Sequence, residues 1–215
     1  MSMSLRKPVA KEGLPFIGIF VLVAMAGTWF AIFRPLEILL WLLAFWCVWF
    51  FRDPERQTPA GEGLVIAPAD GRVVAVEEVA AAPLSGLPAR KFSIFMNVFS
   101  VHVNRFPLGG RVDQISYHPG KFLNAALDKA SVENERMEIL AISPAGVSIS
   151  FVQVAGLVAR RIVCHLKPGQ TLRAGERFGL IRFGSRVDVY LPLTARVELA
   201  IGERTRAGET VIATL

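Results

Sequence analysis

Gly179-Leu-Ile-Arg-Phe-Gly-Ser-Arg-Val-Asp-Val-Tyr-Leu-Pro192 is two alternating, strand-like runs that meet at Gly184-Ser185. Alternation with period two is the mark of β-strands, so the stretch points to a β-rich chain. Its junction carries two readings. Gly-Ser between strand-like runs is an ordinary hairpin-turn signal. Chemically, the same pair offers a backbone carbonyl with a hydroxyl on the next residue. A serine so placed can attack the carbonyl before it and convert the amide to an ester, and elimination then breaks the chain.

Working outward, short strand-like runs fill the chain beyond Arg52. They are Val65-Ile66, Arg72 to Val79, Lys91 to Val103, Val112 to Tyr117, Ile139 to Ile142, Val147 to Val154 and Val158 to Leu166, followed by the two runs of the opening stretch, Phe178 to Phe183 and Arg186 to Leu191. Gly, Pro and Asp punctuate them. Residues 121–138, rich in Ala, Leu, Asn and charge, are the exception and read as a helix or a loop. Gly169-Gln-Thr-Leu-Arg-Ala-Gly-Glu176 is echoed by Gly202-Glu-Arg-Thr-Arg-Ala-Gly-Glu209, each copy preceding an apolar run. This form resembles the hairpins of barrel-sandwich domains of the biotinyl and lipoyl carrier type. The expected fold is mainly β (a β-rich α+β chain) with a compact barrel-sandwich-like core.

The N-terminus is different. Leu14 to Phe33 is 20 residues without a charge, the length needed to cross a bilayer. A second apolar run, Leu36 to Phe51, is interrupted only by Glu37 and carries Trp41, Phe45, Trp46 and Trp49. Aromatic loading of this kind suits a membrane interface. A cleaved signal peptide fits poorly, because the stretch is too long and a second apolar run follows. Arg6, Lys7 and Lys11 precede the pair of runs, and Arg52 and Arg56 follow it, so both ends are expected on the cytoplasmic face. Residues 1–51 therefore read as a membrane-associating helical hairpin, and residues 52–215 as the soluble domain. The net charge of +6 suits anionic headgroups. No Lys/Arg-rich run or nucleic-acid motif accompanies it. Cys47 and Cys164 have no CxxC partner, so neither a disulfide framework nor a zinc site is expected.

Three histidines are available to assist chemistry at Ser185. Alternation in Val98-Phe-Ser-Val-His-Val-Asn-Arg-Phe-Pro107 places Ser100, His102 and Asn104 on one polar face, open to a cleft or to water. His118 sits at the turn of Tyr117-His-Pro-Gly120, and His165 reads as packed or solvated. Asp70, in Ala67-Pro-Ala-Asp-Gly-Arg72, is either a turn residue or a carboxylate that orients an imidazole.

Phe50-Phe-Arg-Asp-Pro-Glu-Arg56, Pro68-Ala-Asp-Gly71, Val101-His-Val-Asn-Arg105, Tyr117-His-Pro-Gly-Lys-Phe122, Asn134-Glu-Arg136 and Phe183-Gly-Ser185 occur together and in order. Jointly they resemble the phosphatidylserine decarboxylase proenzymes of the short prokaryotic class. The resemblance implies self-cleavage between Gly184 and Ser185 into a β chain, 1–184, and an α chain, 185–215, which stay together as a heterodimer. Ser185 then becomes a pyruvoyl group that takes the substrate amine as a Schiff base, with no metal and no pyridoxal phosphate. Asp70 and His102 are expected to assist the cut. The substrate is phosphatidylserine in the bilayer, and the product is phosphatidylethanolamine. Longer members carry an H-x-x-H pair where this chain has His102 and Arg105, which leaves Arg105 and His118 as supporting candidates. Other readings are a membrane-anchored carrier modified at Lys129 in Leu127-Asp-Lys-Ala130, or the same chemistry on an ether lipid.

Overall fold

In a computed structural model, residues 8–30, 33–123, 133–156, 161–182 and 184–215 are described. The chain divides into two compact units, Met1–Glu55 and Arg56–Leu215.

In the first unit a short 3-10 turn, Lys11–Gly13, leads into α1 (Leu14–Trp29), and α2 (Arg34–Phe50) returns beside it. Each helix has proline within its first two residues, where the missing N–H costs no hydrogen bond. Buried positions on the helices are mostly small, Ala24 and Gly27 on α1 and Ala44 and Cys47 on α2, which lets backbones approach closely. Large apolar side chains such as Leu22, Trp29, Leu42 and Phe45 are exposed. The two outer ends lie together: Ala10 N–H donates to Phe51 O at 2.8 Å, and Asp53 N–H to Pro8 O at 2.8 Å. Glu37, the one charge in the second run, sits in a polar knot. It accepts from Arg34 at 3.1 Å and from the Thr28 hydroxyl at 3.1 Å, and Trp41 Nε1 donates to Thr28 Oγ1. Among the described residues, Lys11–Trp29 is the one helical stretch long and apolar enough to cross a membrane.

The second unit is built from strands. They are β1 (Leu64–Ile66), β2 (Gly71–Val79), β3 (Ala89–Met96), β4 (Val103–Arg105), β5 (Gly110–His118), β6 (Arg136–Ile142) and β7 (Ser148–Ala155). After them come β8 (Ile162–Cys164), β9 (Thr171–Leu172), β10 (Arg177–Ile181), β11 (Ser185–Pro192), β12 (Arg196–Val197), β13 (Arg204–Thr205) and β14 (Val211–Thr214). An eight-stranded sheet has the order β13-β2-β3-β11-β7-β6-β5-β9, and two three-stranded sheets have the orders β1-β14-β12 and β4-β10-β8. One apolar cluster joins all three, with Ile94, Val187, Val189 and Phe151 from the large sheet, Ile212 from the second and Phe178 from the third. Phe106, Phe151 and Phe178 meet edge-to-face, which adds to their burial.

The mainly β expectation holds, and the sheets do not close into a barrel. The two repeat copies supply β9 and β13, the strands at opposite edges of the large sheet. Their four glycines, Gly169, Gly175, Gly202 and Gly208, all have φ between 78 and 94°. That conformation is nearly free only for glycine, which is why the copies keep their spacing. The run expected from Lys91 to Val103 is broken in two. Asn97 Oδ1 accepts from the backbone of Phe99 and Ser100, a side-chain turn that ends β3. Residues 124–132, half of the 121–138 segment and with them Lys129, lie outside the described residues.

Candidate active site

The Gly184-Ser185 junction is not a hairpin. β10, before it, pairs with β4 and β8, whereas β11, after it, pairs with β3 and β7. The chain crosses from one sheet to another here. Gly184 has a φ of 74°, and a side chain at that position would meet nothing within 4 Å. Backbone conformation, not space, therefore demands glycine. Ser185 is the first residue of β11, lies opposite Met96 on β3 and Ala155 on β7, and is fully buried. Its hydroxyl donates to Met96 Sδ at 3.3 Å, a weak acceptor. Phe183, the residue before this pair, lies outside the described residues.

His102 stands at the same junction. Its Nδ1 is 2.9 Å from Ser100 O. A carbonyl only accepts, so Nδ1 carries the proton and Nε2 presents its lone pair. Gly184 N–H donates to that Nε2 at 3.4 Å, a long contact. His102 was expected on a polar strand face open to a cleft or water. It lies instead just before β4 and is 2% exposed. The reason is tertiary: β4 is an edge of the sheet it shares with β10, and both of its faces are covered, so Val103, Asn104 and Arg105 are all buried.

Asp70 precedes β2. Its Oδ2 accepts from Arg56 Nη2 at 2.8 Å, and its Oδ1 accepts from Ala207 N–H at 2.7 Å. Arg56 also pairs with Glu209 at 3.2 Å, so one guanidinium joins two carboxylates. Burial pushes the Glu209 carboxyl up, but the Gln57 N–H and Arg56 outweigh it, and the group is held below its ordinary value. Asp70 is thus held by Arg56 and Ala207, while the imidazole is held by Ser100. Asp70 and Ser100 nevertheless line one cavity of about 570 Å³, together with Arg72, Phe99, Arg204 and Arg206.

Other candidates are placed apart. Arg105 is buried and donates to Gly175 O at 3.0 Å, tying β4 to the first repeat copy. His118, at the end of β5, bonds Ser116 and Glu138 (3.2 Å). Its row in the sheet runs through Arg136 and Val154 to Arg186, so it belongs to the face opposite Ser185. His165 is exposed. Burial pushes the Cys164 thiol up, which keeps it unreactive.

Two residues near Ser185, Met96 and Gln153, escape the sequence reading, and a third, Asn104, is placed by it on the polar face with His102 but given no role. Met96 takes the serine hydroxyl, Asn104 Nδ2 is 3.8 Å from the same sulfur, and Gln153 Nε2 donates to Asn104 Oδ1 at 2.8 Å. Asn104 and Gln153 are fully buried, a polar pair behind the junction. Asn104 stands in the quoted Val101-His-Val-Asn-Arg105 motif, the one signal available. Nothing in the order of residues brings Gln153 there.

The phosphatidylserine decarboxylase family model matches residues 43–213. The chain is 59% identical over 202 residues to a phosphatidylserine decarboxylase proenzyme of Magnetococcus marinus, covering 94% of this chain and 93% of that protein. It is 54% identical over 211 residues to the proenzyme of Paramagnetospirillum magneticum, covering 97% and 87%.

Proposed function

The chain belongs to the phosphatidylserine decarboxylase family, and from that premise we propose that it cuts itself at Gly184-Ser185 and removes carbon dioxide from phosphatidylserine. The observation that carries this reading is the junction itself. A buried serine hydroxyl follows Gly184 and a histidine lone pair meets the Gly184 N–H, at a crossing between two sheets.

Self-cleavage begins when Ser185 Oγ leaves Met96 Sδ and attacks the Gly184 carbonyl carbon. His102 Nε2 takes the hydroxyl proton, and the Ser185 nitrogen leaves as an amine, which converts amide to ester. Loss of the Ser185 α-proton expels the Gly184 carboxylate and ends the β chain. Water then replaces the nitrogen as ammonia, and a ketone is left at the head of residues 185–215. Asp70, fixed by Arg56 and Ala207, lines the same cavity as Ser100, whose carbonyl holds the imidazole, and its proposed part is to support His102 from there.

The donor set fits a group made from the chain: the serine is buried, sits between β3 and β7, and has a proton carrier at the preceding residue. When present, the pyruvoyl ketone supplies an electrophile for the substrate amine and a sink for the electrons left by carbon dioxide. His102 is then placed to return a proton to the substrate carbon, a contribution of roughly 10²–10⁴-fold for a positioned acid.

Residues 14–51 hold the domain at the cytoplasmic face, where a diacyl substrate stays in the bilayer. Supporting this are the exposed apolar side chains of α1 and α2 and the meeting of both outer ends of the hairpin at one end. Intact mass of the purified protein tests the reading, since one chain must become two.

A further inference from the structure

We propose that the buried Asn104 amide, oriented by Gln153, donates a hydrogen bond to the oxygen that leaves with the β chain when the Ser185 ester is eliminated. The proposal rests on the self-cleavage reading and gives its second step a donor.

Gln153 is out of place in its row. On the sheet face that carries Ser185, the surrounding residues are apolar and belong to the core: Ile94 and Met96 on β3, Val187 and Val189 on β11, Phe151 and Ala155 on β7. Gln153 stands opposite Val187, diagonal to Ser185, and is fully buried. Its Nε2 donates to Oδ1 of Asn104, which comes from β4 in another sheet, at 2.8 Å. With Oδ1 engaged, Asn104 Nδ2 faces Pro68 O at 3.5 Å and Met96 Sδ at 3.8 Å. Both of those atoms accept, so the group turned toward them is the amide NH2. The first contact is long and the second acceptor weak. Gln153 Oε1 has no hydrogen-bond partner among the described residues. A pair kept only to register two sheets would be satisfied, because a half-satisfied buried pair is worse than an apolar one. The Asn104 amide is a buried donor with capacity to spare.

Met96 ties this donor to the reaction. Ser185 Oγ donates to Met96 Sδ at 3.3 Å, so Asn104 Nδ2 and Ser185 Oγ meet on one sulfur atom. That oxygen carries charge later in the cut. In the ester, Oγ bridges the Gly184 carbonyl carbon and Ser185 Cβ. Elimination removes the Ser185 α-proton, forms the Cα–Cβ double bond and breaks the Cβ–Oγ bond. The electron pair goes to Oγ, which becomes one oxygen of the new Gly184 carboxylate. Charge thus develops on the atom that shares Met96 with the Asn104 amide. Ser185, Met96, Asn104 and Gln153 are all fully buried, and a preoriented donor acts most strongly where water is excluded. His102 contacts the Gly184 N–H, so the base and the donor for the leaving group are separate side chains.

The test treats the full-length chain with neutral hydroxylamine, which splits an ester far faster than an amide. The double variant Asn104→Leu with Gln153→Met replaces the pair by apolar groups of similar shape, an exchange that is nearly neutral for folding. Its small chain is expected to form about 10- to 10²-fold more slowly, as for loss of one donor to a developing oxyanion. Hydroxylamine is expected to split the accumulated uncut chain in two, the smaller piece beginning at Ser185 with a free amine by mass. Gln153→Met alone keeps the donor and removes its orienter. It is expected to accumulate the same ester with a smaller slowing, and it decides the matter even where the double variant precipitates. Ser185→Ala, which cannot form the ester, is not split. Cutting of both variants at the wild-type rate overturns the proposal and leaves self-cleavage standing. A soluble, slowly cutting variant that hydroxylamine does not split also overturns it, because the block then precedes the ester. A wild-type chain that neither cuts nor is split removes the self-cleavage reading, and the proposal with it.

Discussion

Gly184 N–H points at His102 Nε2 across 3.4 Å, so the imidazole addresses the amide just before the nucleophile and not the nucleophile itself. Ser185 Oγ rests meanwhile on Met96 Sδ. Of the three histidines, His102 is the one that contacts the residue before the serine, which is why the proposed base is His102.

Replacing His102 by Ala is expected to slow self-cleavage by about 10²-fold or more, the usual weight of a positioned base. His118→Ala and His165→Ala are expected to cut at the wild-type rate, because His118 lies on the opposite sheet face and His165 is solvent-exposed. Gel analysis of precursor and product over time measures all three. Normal cutting by His102→Ala removes the assignment.

Gly184→Ala tests the backbone of the junction. The new methyl meets no atom, so its whole effect comes from the φ of 74°, at a cost of about 1–2 kcal/mol. For a domain of this size that is roughly 2–8 °C in Tm. An unchanged Tm in the uncut state contradicts a strained junction.

Arg56→Ala leaves Asp70 and Glu209 without their shared cation. A lost hydrogen bond to a charged group costs about 1.5–3 kcal/mol. The pH dependence follows from Glu209, which is held below its ordinary value. Its stabilisation is complete above the unfolded carboxylate range, near pH 4.3, and is lost as pH falls through the lower folded value. Glu209→Gln is expected to flatten the acid limb of Tm against pH while changing little at pH 7 beyond a constant offset. An acid limb identical to wild type contradicts that role.

Deleting residues 1–51 is expected to move the protein from washed membranes to the soluble fraction while the cut continues, since the β-rich unit contains the whole junction. Residual binding to anionic vesicles is expected to weaken with salt, as for exposed charges. A truncated chain that stays membrane-bound in high salt argues against the hairpin as anchor.

The strands around Ser185 were legible because alternation survives in β2, β3, β7 and β11, and the edge strands β9 and β13 were foreshadowed by the repeat. Burial of His102 was not, because the alternation at 98–104 reports a face but not what covers it, and the Asn97 turn that ends β3 depends on a side chain capping two backbone groups. The partners of Asp70 were hidden for another reason: Arg56 and the Ala207-Gly-Glu209 segment are distant in sequence from each other, and pairing of β2 with β13 brings that segment to Asp70. Gly184-Ser185 read locally as a turn, and only the assignment of β10 and β11 to different sheets excludes the hairpin.

Intact-mass measurement of the purified protein tests the central claim most directly. The account predicts two chains, 1–184 and 185–215, the second being 31 of 215 residues and so about 3.4 of the 23.6 kDa. The small chain is expected to lack a free amine at its N-terminus and to gain the mass of the lipid when reduced with cyanoborohydride in the presence of phosphatidylserine. Ser185→Ala is expected to remain a single inactive chain of 23.6 kDa. A wild-type protein that stays one uncut chain and still releases carbon dioxide from phosphatidylserine contradicts the account.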